Sequence, residues 1–225
     1  MILGLRRQSV AVALSAFLVG SVVLLGWWVN SGRAQSVSNG SDQSVSRGKA
    51  LSVKLRNVDG DVVGIVHMAR IQKGRVAVSA RVRGIQPASA FHGFHIHETG
   101  ICDPDAIDPT TGETVPFSSA GGHFNLTNSI HGEHVGDFPV LLVTDDGTGR
   151  AHFVTDRFKL RDLFDADRSA VMIHAGLDNY ANIPATTDGE RRYHSHLENV
   201  FGPDSATKKT GDAGDRFACG VVRRS

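Results

Sequence analysis

Short stretches in which apolar and polar residues alternate recur through the chain from residue 50 onwards. Residues 50–57 and 61–69 show this alternation on either side of Asp59 and Gly60. An Asp-Gly pair between two such runs is a strong signal for a β-hairpin. Residues 75–85 repeat the pattern, with valine and alanine on one face. Because a period of two is the period of a strand and not of a helix, we predict antiparallel β-structure.

The remaining candidate strands are separated by glycine-rich turns and by two long irregular segments. The sequence pattern of the domain predicts no helix longer than a turn or two, although residues 158–167 have some helical character. The long segments, residues 98–139 and 175–216, lack a strand pattern, and loops of this length usually carry function or are disordered. We therefore expect an all-β sandwich or barrel with two long loops. The later candidate strands are residues 91–97, 140–144, 151–155, 170–174 and 217–222.

An uncharged and mostly apolar run occupies residues 10–29 and follows Arg6 and Arg7. This combination is typical of an export signal or of a membrane anchor. The run is long enough to span a bilayer as a helix. The small residues Gly32 and Ala34 equally fit cleavage after residue 34, so signal peptide and membrane anchor both remain open. In either case we expect the folded part to lie outside the cytoplasm, with membrane contact only through an uncleaved N-terminal segment.

The polar segment that follows, residues 35–48, is mainly Ser, Asn, Gly, Gln and Asp, which predicts a flexible linker. We expect residues 1–34 to form the signal or anchor and residues 49–225 to form the folded domain. The whole chain has 24 Lys and Arg against 23 Asp and Glu. A balance so close to neutral gives no indication of a nucleic-acid or polyanion binder.

Histidine is the residue type that points most directly to a chemistry, and the chain has eleven. His95 and His97 flank Ile96 in GFHIHE, and alternation along a strand sends both imidazoles to the same face. His174 ends another apolar run, AVMIH. Three imidazoles with one carboxylate can complete a tetrahedral zinc site, although imidazole suits copper as well. Four such candidate ligands follow one another in the first long segment: His123, His131, His134 and Asp137.

Five motifs resemble, in the same order, those of the copper/zinc superoxide dismutases: GFHIHE, SAGGHFN, HVGD, the strand ending in His174, and GDAGDRFACGV. The resemblance extends from about residue 50 to residue 222. The N-terminal segment and DNYANIP after His174 are similar to the secreted bacterial members. The resemblance implies an eight-stranded Greek-key β-barrel whose two long loops carry the metal site. It also implies dismutation of superoxide to oxygen and hydrogen peroxide by alternate reduction and reoxidation of a histidine-bound copper ion.

The resemblance implies a role for each matching residue. His123 is expected to bridge copper and zinc and to carry the proton that is delivered to peroxide. Asp178 is expected to link copper-side and zinc-side histidines. Arg216 is expected to attract the superoxide anion at the copper mouth, with Lys209 and Thr210 along the channel. The implied copper ligands are His95, His97, His123 and His174, and the implied zinc ligands are His123, His131, His134 and Asp137.

Cys102 and Cys219 are the only cysteines, so they form a single disulfide if both pair, and export favours that pairing. Such a disulfide would tie the first long loop to the last strand. A homodimer is possible, but no exposed apolar strand in the sequence indicates a subunit interface.

Two features depart from the family pattern. His131 and His134 are only three residues apart, which is expected to weaken or rearrange zinc binding. His194 and His196 lie in an insertion after His174, where a surface position is favoured over an accessory metal site. The alternative from another class is a copper or zinc carrier on the same barrel. A carrier does not need a cation such as Arg216 at the copper mouth, so the enzyme is the preferred interpretation.

Overall fold

A computed structural model of the protein describes residues 50–109, 111–187 and 190–224. The predictions for residues 1–34 and 35–48 lie outside these ranges. Within them, no helix has both the length and the apolar character that crossing a membrane requires.

Strands are the main regular secondary structure of the described residues, as the alternating pattern predicts. Their bounds are β1 (Ala50–Arg56), β2 (Val62–Arg70), β3 (Val76–Val82), β4 (Ala90–His92), β5 (Phe94–His97), β6 (Leu141–Val143), β7 (Gly149–Thr155), β8 (Ala170–His174), β9 (Thr186–Thr187), β10 (Glu190–Arg191), β11 (His194–Ser195), β12 (Val200–Phe201) and β13 (Arg216–Val221). The predicted hairpin is confirmed, since β1 and β2 pair antiparallel around Gly60, whose φ of +83° suits glycine.

Nine strands form one sheet, in the order β4-β6-β7-β3-β2-β1-β13-β8-β5. The two end strands, β4 and β5, are consecutive in the chain and are separated only by Gly93. One continuous strand therefore pairs with β6 on one side and with β8 on the other. A Cβ at Gly93 would lie 2.7 Å from the Cβ of Ala213, so this closing position requires glycine. Counted in this way the barrel has eight strands, which confirms the expected fold.

The order of the strands is that of a Greek key. β3 lies beside β7, not beside β4, and the connection from β7 to β8 crosses to the other side of the barrel. These crossings bring β5 and β8 together as neighbours although more than seventy residues separate them in sequence. The two strands that end in His97 and His174 are thereby placed side by side.

The core lies inside the barrel and consists of the inward residues of the alternating strands. Val76, Val78 and Ala80 are at most 1% exposed, as their common face predicts. Phe138 packs edge-on against Phe94 and Phe153, with ring centroids 5.0 Å apart in both pairs. Burial of this apolar surface is the main favourable contribution to folding.

The two long irregular segments lie outside the barrel. The first contains a short 3-10 helix, Ser118–Ala120, and is joined to β13 by the disulfide Cys102–Cys219. The second contains the pairs β9–β10 and β11–β12 and one helix, α1 (Ser205–Thr210). The helical character of residues 158–167 corresponds to the 3-10 helix Leu160–Phe164.

Candidate metal centre

The edge of β5 organises the first long segment. His95 and His97 point away from the core residue Ile96 and are at most 1% exposed. An isolated β-bridge pairs His97 with His123, and another pairs His95 with Asp137. The loop thus runs along β5 as an irregular extra strand, and its backbone brings two further candidate ligands beside the first two.

Four histidines meet at one point, and we call them the imidazole cluster: His95, His97, His123 and His174. One ring nitrogen of each lies within 4.8 Å of those of the others, and all four side chains are buried. The Nε2 atoms of His97 and His174 are 3.2 Å apart. Two backbone carbonyls hold the opposite ring nitrogens, since Nδ1 of His97 is 3.0 Å from Gly121 O and Nδ1 of His174 is 3.0 Å from Gly214 O.

These contacts determine the tautomers of His97 and His174. Burial lowers the pKa of His97 well below its ordinary value and lowers that of His174 to about 4, so both rings are neutral. A neutral imidazole has one N–H group, and here Nδ1 must carry it to satisfy the carbonyl. The two Nε2 lone pairs therefore face each other, an arrangement that a cation between them stabilises.

Two more lone pairs of the imidazole cluster have no partner. His95 Nδ1 and His123 Nε2 are buried, and no hydrogen-bonding group among the described residues contacts either atom. Burial also lowers the pKa of both His95 and His123, so neither ring is positively charged near neutral pH. Unpaired buried nitrogens are costly unless a ligand uses them. The residues therefore fit a metal ion bound by four imidazoles.

A second group, which we call the Asp137 cluster, lies directly beside the first and contains His123, His131, His134 and Asp137. Oδ1 of Asp137 is 3.0 Å from Nδ1 of His123, 3.3 Å from Nδ1 of His131 and 3.4 Å from Nδ1 of His134. Ligands at about 2.0–2.1 Å around tetrahedral zinc are separated by about 3.3 Å. The separations in the Asp137 cluster therefore fit a zinc ion.

The three-residue spacing of His131 and His134 does not prevent this convergence. His134 Nε2 donates to Ser129 O at 3.1 Å, which leaves its buried Nδ1 without a hydrogen-bonding partner in the described chain. His134 is nevertheless the loosest member, because the tightest four-residue group around Asp137 takes His95 in its place. Gly136 explains part of the HVGD motif, since a Cβ there would lie 2.6 Å from Ile96 O.

Asp178 connects the two clusters. Its Oδ2 lies 2.7 Å from His95 Nε2 and its Oδ1 lies 2.7 Å from His131 Nε2. All three side chains are inaccessible to solvent. One carboxylate thus orients a histidine of each cluster and keeps the other ring nitrogen, Nδ1, free to bind a metal.

The carboxylates make the electrostatics of the Asp137 cluster opposite to those of its neighbour. Burial disfavours a charged His131, but hydrogen bonds to Asp137 and Asp178 outweigh it and raise the pKa of His131 to about 9. The same contacts lower the pKa of both carboxyl groups against the effect of burial. In the metal-free chain His131 is therefore protonated and positively charged at pH 7, whereas the four rings of the imidazole cluster are neutral.

Arg216 begins β13 opposite His174 and reaches the imidazole cluster from the side. Its guanidinium donates to Phe117 O and, at 2.7 Å, to Gly121 O, the carbonyl that also binds His97. In the described part of the chain it forms no ion pair, not even with adjacent Asp215. Burial lowers the pKa of Arg216, yet a guanidinium stays charged at neutral pH.

Lys209 and Thr210 lie at the end of α1 and are exposed. Thr210 Oγ1 donates to Ala206 O within the helix, so neither residue is part of the two clusters. α1 still supports the site, because Lys208 O accepts from the backbone N–H of His131 at 2.7 Å. A Cβ at Gly211, which ends the helix, would overlap Asp178 and His131.

Sequence reasoning missed Arg157 and Tyr180. Arg157 donates to His134 O at 2.9 Å and to Gly132 O at 3.0 Å, and so holds the short loop between His131 and His134 from outside. The Tyr180 hydroxyl accepts from Val140 N–H at 2.6 Å, and its ring stacks on that of His131. Arg157 carries no local signal, and Tyr180 lies in the DNYANIP motif, to which the sequence analysis gave no role in the site.

His194 and His196 lie apart from both clusters. His194 lies in β11 and His196 follows that strand, with their ring centroids 4.9 Å apart. His194 Nε2 hydrogen-bonds to Asn199 Oδ1 at 3.0 Å, and His196 is exposed. This is the surface position that the sequence favours.

A closed β-barrel with two adjoining buried histidine clusters, one purely imidazole and one containing a carboxylate, defines a metalloprotein built for two different metal ions that share one ligand. The chain belongs to the copper/zinc superoxide dismutase family, since the model of that family matches residues 62–222. Copper and zinc are the cofactors of this family and superoxide dismutation is its activity.

Similar proteins support the same assignment. The Cu-Zn superoxide dismutase of Mycobacterium tuberculosis is 36% identical over 196 residues, which is 87% of this chain and 78% of that protein. That of Mycolicibacterium paratuberculosis is 45% identical over 132 residues, or 59% of this chain and 56% of that protein. The solved Cu/Zn superoxide dismutase of Brucella abortus is 28% identical and superposes with a TM-score of 0.54, covering 77% of this chain and 99% of that one.

Proposed function

We propose that the protein dismutates superoxide outside the cytoplasm, with copper in the imidazole cluster and zinc in the Asp137 cluster. The observation that carries this proposal is the convergence of one ring nitrogen each from His95, His97, His123 and His174, two of which, His95 Nδ1 and His123 Nε2, are buried without a hydrogen-bonding partner among the described residues. Copper, when bound, supplies the one-electron chemistry that both halves of dismutation require, whereas zinc has no redox step.

His123 is the residue that both clusters share. Its Nδ1 lies with Asp137 and its Nε2 faces the imidazole cluster. A ligand anchored on one side keeps its orientation when the other nitrogen is free, so Nε2 is a position at which a proton can be held beside the reacting anion. Peroxide takes up two protons to leave as hydrogen peroxide, and we assign the delivery of one of them to His123.

Arg216 is assigned to substrate attraction. Two carbonyls fix its guanidinium, and its charge contributes to the lowered pKa of His97 and His174, although burial is the larger cause. A fixed cation at a narrow site focuses the field on a small anion and raises the association rate. The exposed charge of Lys209 is proposed to extend this field towards solvent, and Thr210 is proposed to lie beside it along the channel.

The location outside the cytoplasm is supported by two independent features. The apolar run at residues 10–29 is typical of export, and the disulfide Cys102–Cys219 is of the kind that persists in oxidising compartments. Cleavage of the N-terminal segment would release the barrel, and its retention as an anchor would attach the barrel to the membrane.

The test is metal content and superoxide turnover measured on the same purified full chain. We expect one copper and one zinc per chain, with turnover that disappears when copper is removed. Arg216→Ala should lower turnover about tenfold or more at low ionic strength and leave both metals bound, because the arginine steers and does not ligate. The exposed Arg161→Ala is the matched control.

Three results would contradict parts of the proposal. Copper loss in Arg216→Ala would show that the arginine builds the site instead of steering the anion. Copper and turnover without zinc would reject the Asp137 cluster as a zinc site. Bound metals without turnover would favour a copper or zinc carrier on this barrel.

A further inference from the structure

Charge is unevenly distributed over the barrel. Residues 50–225 contain 19 Lys and Arg against 22 Asp and Glu, so the domain as a whole is slightly acidic. The solvent side of β1, β2, β3 and β7, which we call the basic face, has no acidic residue in any of its four strands. Its basic residues are all exposed: Lys54, Arg56, Arg70, Arg81 and Arg150.

The strand register arranges three of these cations, Lys54, Arg81 and Arg150, in a line. Lys54 pairs with Ile65, Ile65 with Arg81, and Arg81 with Arg150, so the four side chains form one row across four strands. Neighbouring strands are about 4.8 Å apart, and the row therefore extends over about 14 Å. Like charges placed directly opposite each other, as in Arg81 and Arg150, are unfavourable unless an anion lies over them.

A groove of about 980 Å³ runs beside this row. Arg81, Arg83 and Arg150 line it together with Ser79 and other residues of the same strands. Arg81, Arg83 and Arg150 form no ion pair with a carboxylate among the described residues, so the chain itself does not neutralise the groove arginines.

Acidic residues lie at the ends of the basic face, most of them at one end, whereas exposed Asp156 follows β7 at the other. Asp59 and Asp61 belong to the turn between β1 and β2, and Asp145 and Asp146 to the turn between β6 and β7. The side chain of Asp146 is engaged with Thr144 and Thr148. No carboxylate of the described residues lines the groove itself.

We propose that the basic face binds an acidic polysaccharide. A linear chain with repeated carboxylate or sulfate groups can follow this row of cations and enter the groove beside it, whereas a flat bilayer does not enter a groove. Proteins that bind single-stranded nucleic acid stack its bases on aromatic side chains. The exposed positions of these four strands include no Phe, Tyr or Trp. None of the groove residues belongs to either metal cluster, so the proposal is independent of the catalytic one.

Heparin, a sulfated polysaccharide, is the probe for the test. The full chain, kept in mild detergent, is bound to heparin and its affinity is measured as a function of NaCl concentration. Arg81→Gln/Arg150→Gln should weaken binding about tenfold or more at low salt and reduce the slope of log affinity against log salt by about two. Arg161→Gln/Arg224→Gln removes the same charge from outside the four strands and should stay within about twofold of the parent.

Controls separate a lost site from a lost fold. Both double variants should keep superoxide turnover and metal content, because neither touches the two clusters. Equal weakening in both variants would show that binding follows net charge only and would overturn the proposal. Absence of heparin binding by the parent chain would do the same. Displacement by single-stranded DNA or by phosphatidylglycerol micelles at a lower concentration of negative charge than heparin would assign the face to another partner.

Discussion

The imidazole cluster and the Asp137 cluster share His123 and lie side by side, yet they treat protons in opposite ways. Backbone carbonyls hold the outer nitrogens of His97 and His174, and burial keeps these rings neutral. Carboxylates hold the rings of the Asp137 cluster, and they raise the pKa of His131 to about 9. Histidine is thus prepared for two different metals by two kinds of hydrogen-bond acceptor, the neutral backbone carbonyl in one cluster and the charged carboxylate in the other.

This difference shows how neighbouring histidines can serve a redox metal and a structural metal. A redox metal must change charge within a constant ligand cage, and neutral imidazoles with dipolar partners leave its net charge free to change. A structural divalent cation is better matched by a carboxylate, which compensates part of its charge. Asp178 contacts one histidine of each kind and is the physical link between the two environments.

Removal of His123 should disrupt both clusters at once. We expect His123→Ala to reduce turnover about a hundredfold or more and to lose most of its dependence on zinc, because one substitution deletes a ligand from both clusters and the proton carrier. Turnover and metal content of the same sample measure the effect. His152→Ala, an exposed histidine on β7, is the control. Retention of both metals with full turnover would disprove the shared role of His123.

Removal of the link should affect the two clusters unequally. Asp178→Asn has the same size but no charge, and we expect it to weaken zinc binding about ten- to a hundredfold, because His131 loses one of its two carboxylate partners. Copper binding should weaken less, since only His95 contacts Asp178. Competition with a chelator gives both affinities. Equal weakening of copper and zinc would contradict the unequal dependence on charge.

The opposite protonation predicts opposite pH dependence. Zinc must displace the proton of His131, whose pKa is about 9, so the apparent zinc affinity of the metal-free chain should rise about tenfold per pH unit between pH 6.5 and pH 8.5 and level off above pH 9. The imidazole cluster is already neutral there, so copper affinity should change little. Calorimetry in buffers of different ionisation enthalpy counts the protons released. A copper affinity that rises as steeply as that of zinc would reject this explanation.

The smallest expected effect concerns the short loop between His131 and His134, which the sequence predicted to weaken zinc binding. Arg157→Gln removes the two hydrogen bonds that hold Gly132 and His134, and we expect it to speed zinc release several-fold without changing copper retention. Arg157→Lys keeps the charge but loses the two N–H donors that a guanidinium presents side by side, and it should behave like the glutamine variant. Arg161→Gln is the matched control. Unchanged zinc release in Arg157→Gln would leave the loop without an external support.

Several features could be predicted from the chain alone because they depend on local periodicity or on motif order. Alternation located β1, β2 and β3, and it also sent His95 and His97 to one face. The motifs predicted which histidines and which aspartates belong together. Arg157 and Tyr180 could not be found in this way, because they bind backbone atoms of loops that come close only after folding. The net charge of the chain likewise concealed the basic face, since a sum over residues carries no information on their positions.

The sequence by itself determined the elements and the ligand order, because period-two patterning and motif spacing are properties of contiguous residues. The tertiary structure alone decided three things: that β4 and β5 close the barrel at Gly93, that Arg157 holds the loop between His131 and His134, and that Lys54, Arg81 and Arg150 fall in one row. The physical reason is strand register. Pairing between strands that are far apart in sequence is set by the packing of the whole core, and no single strand encodes it.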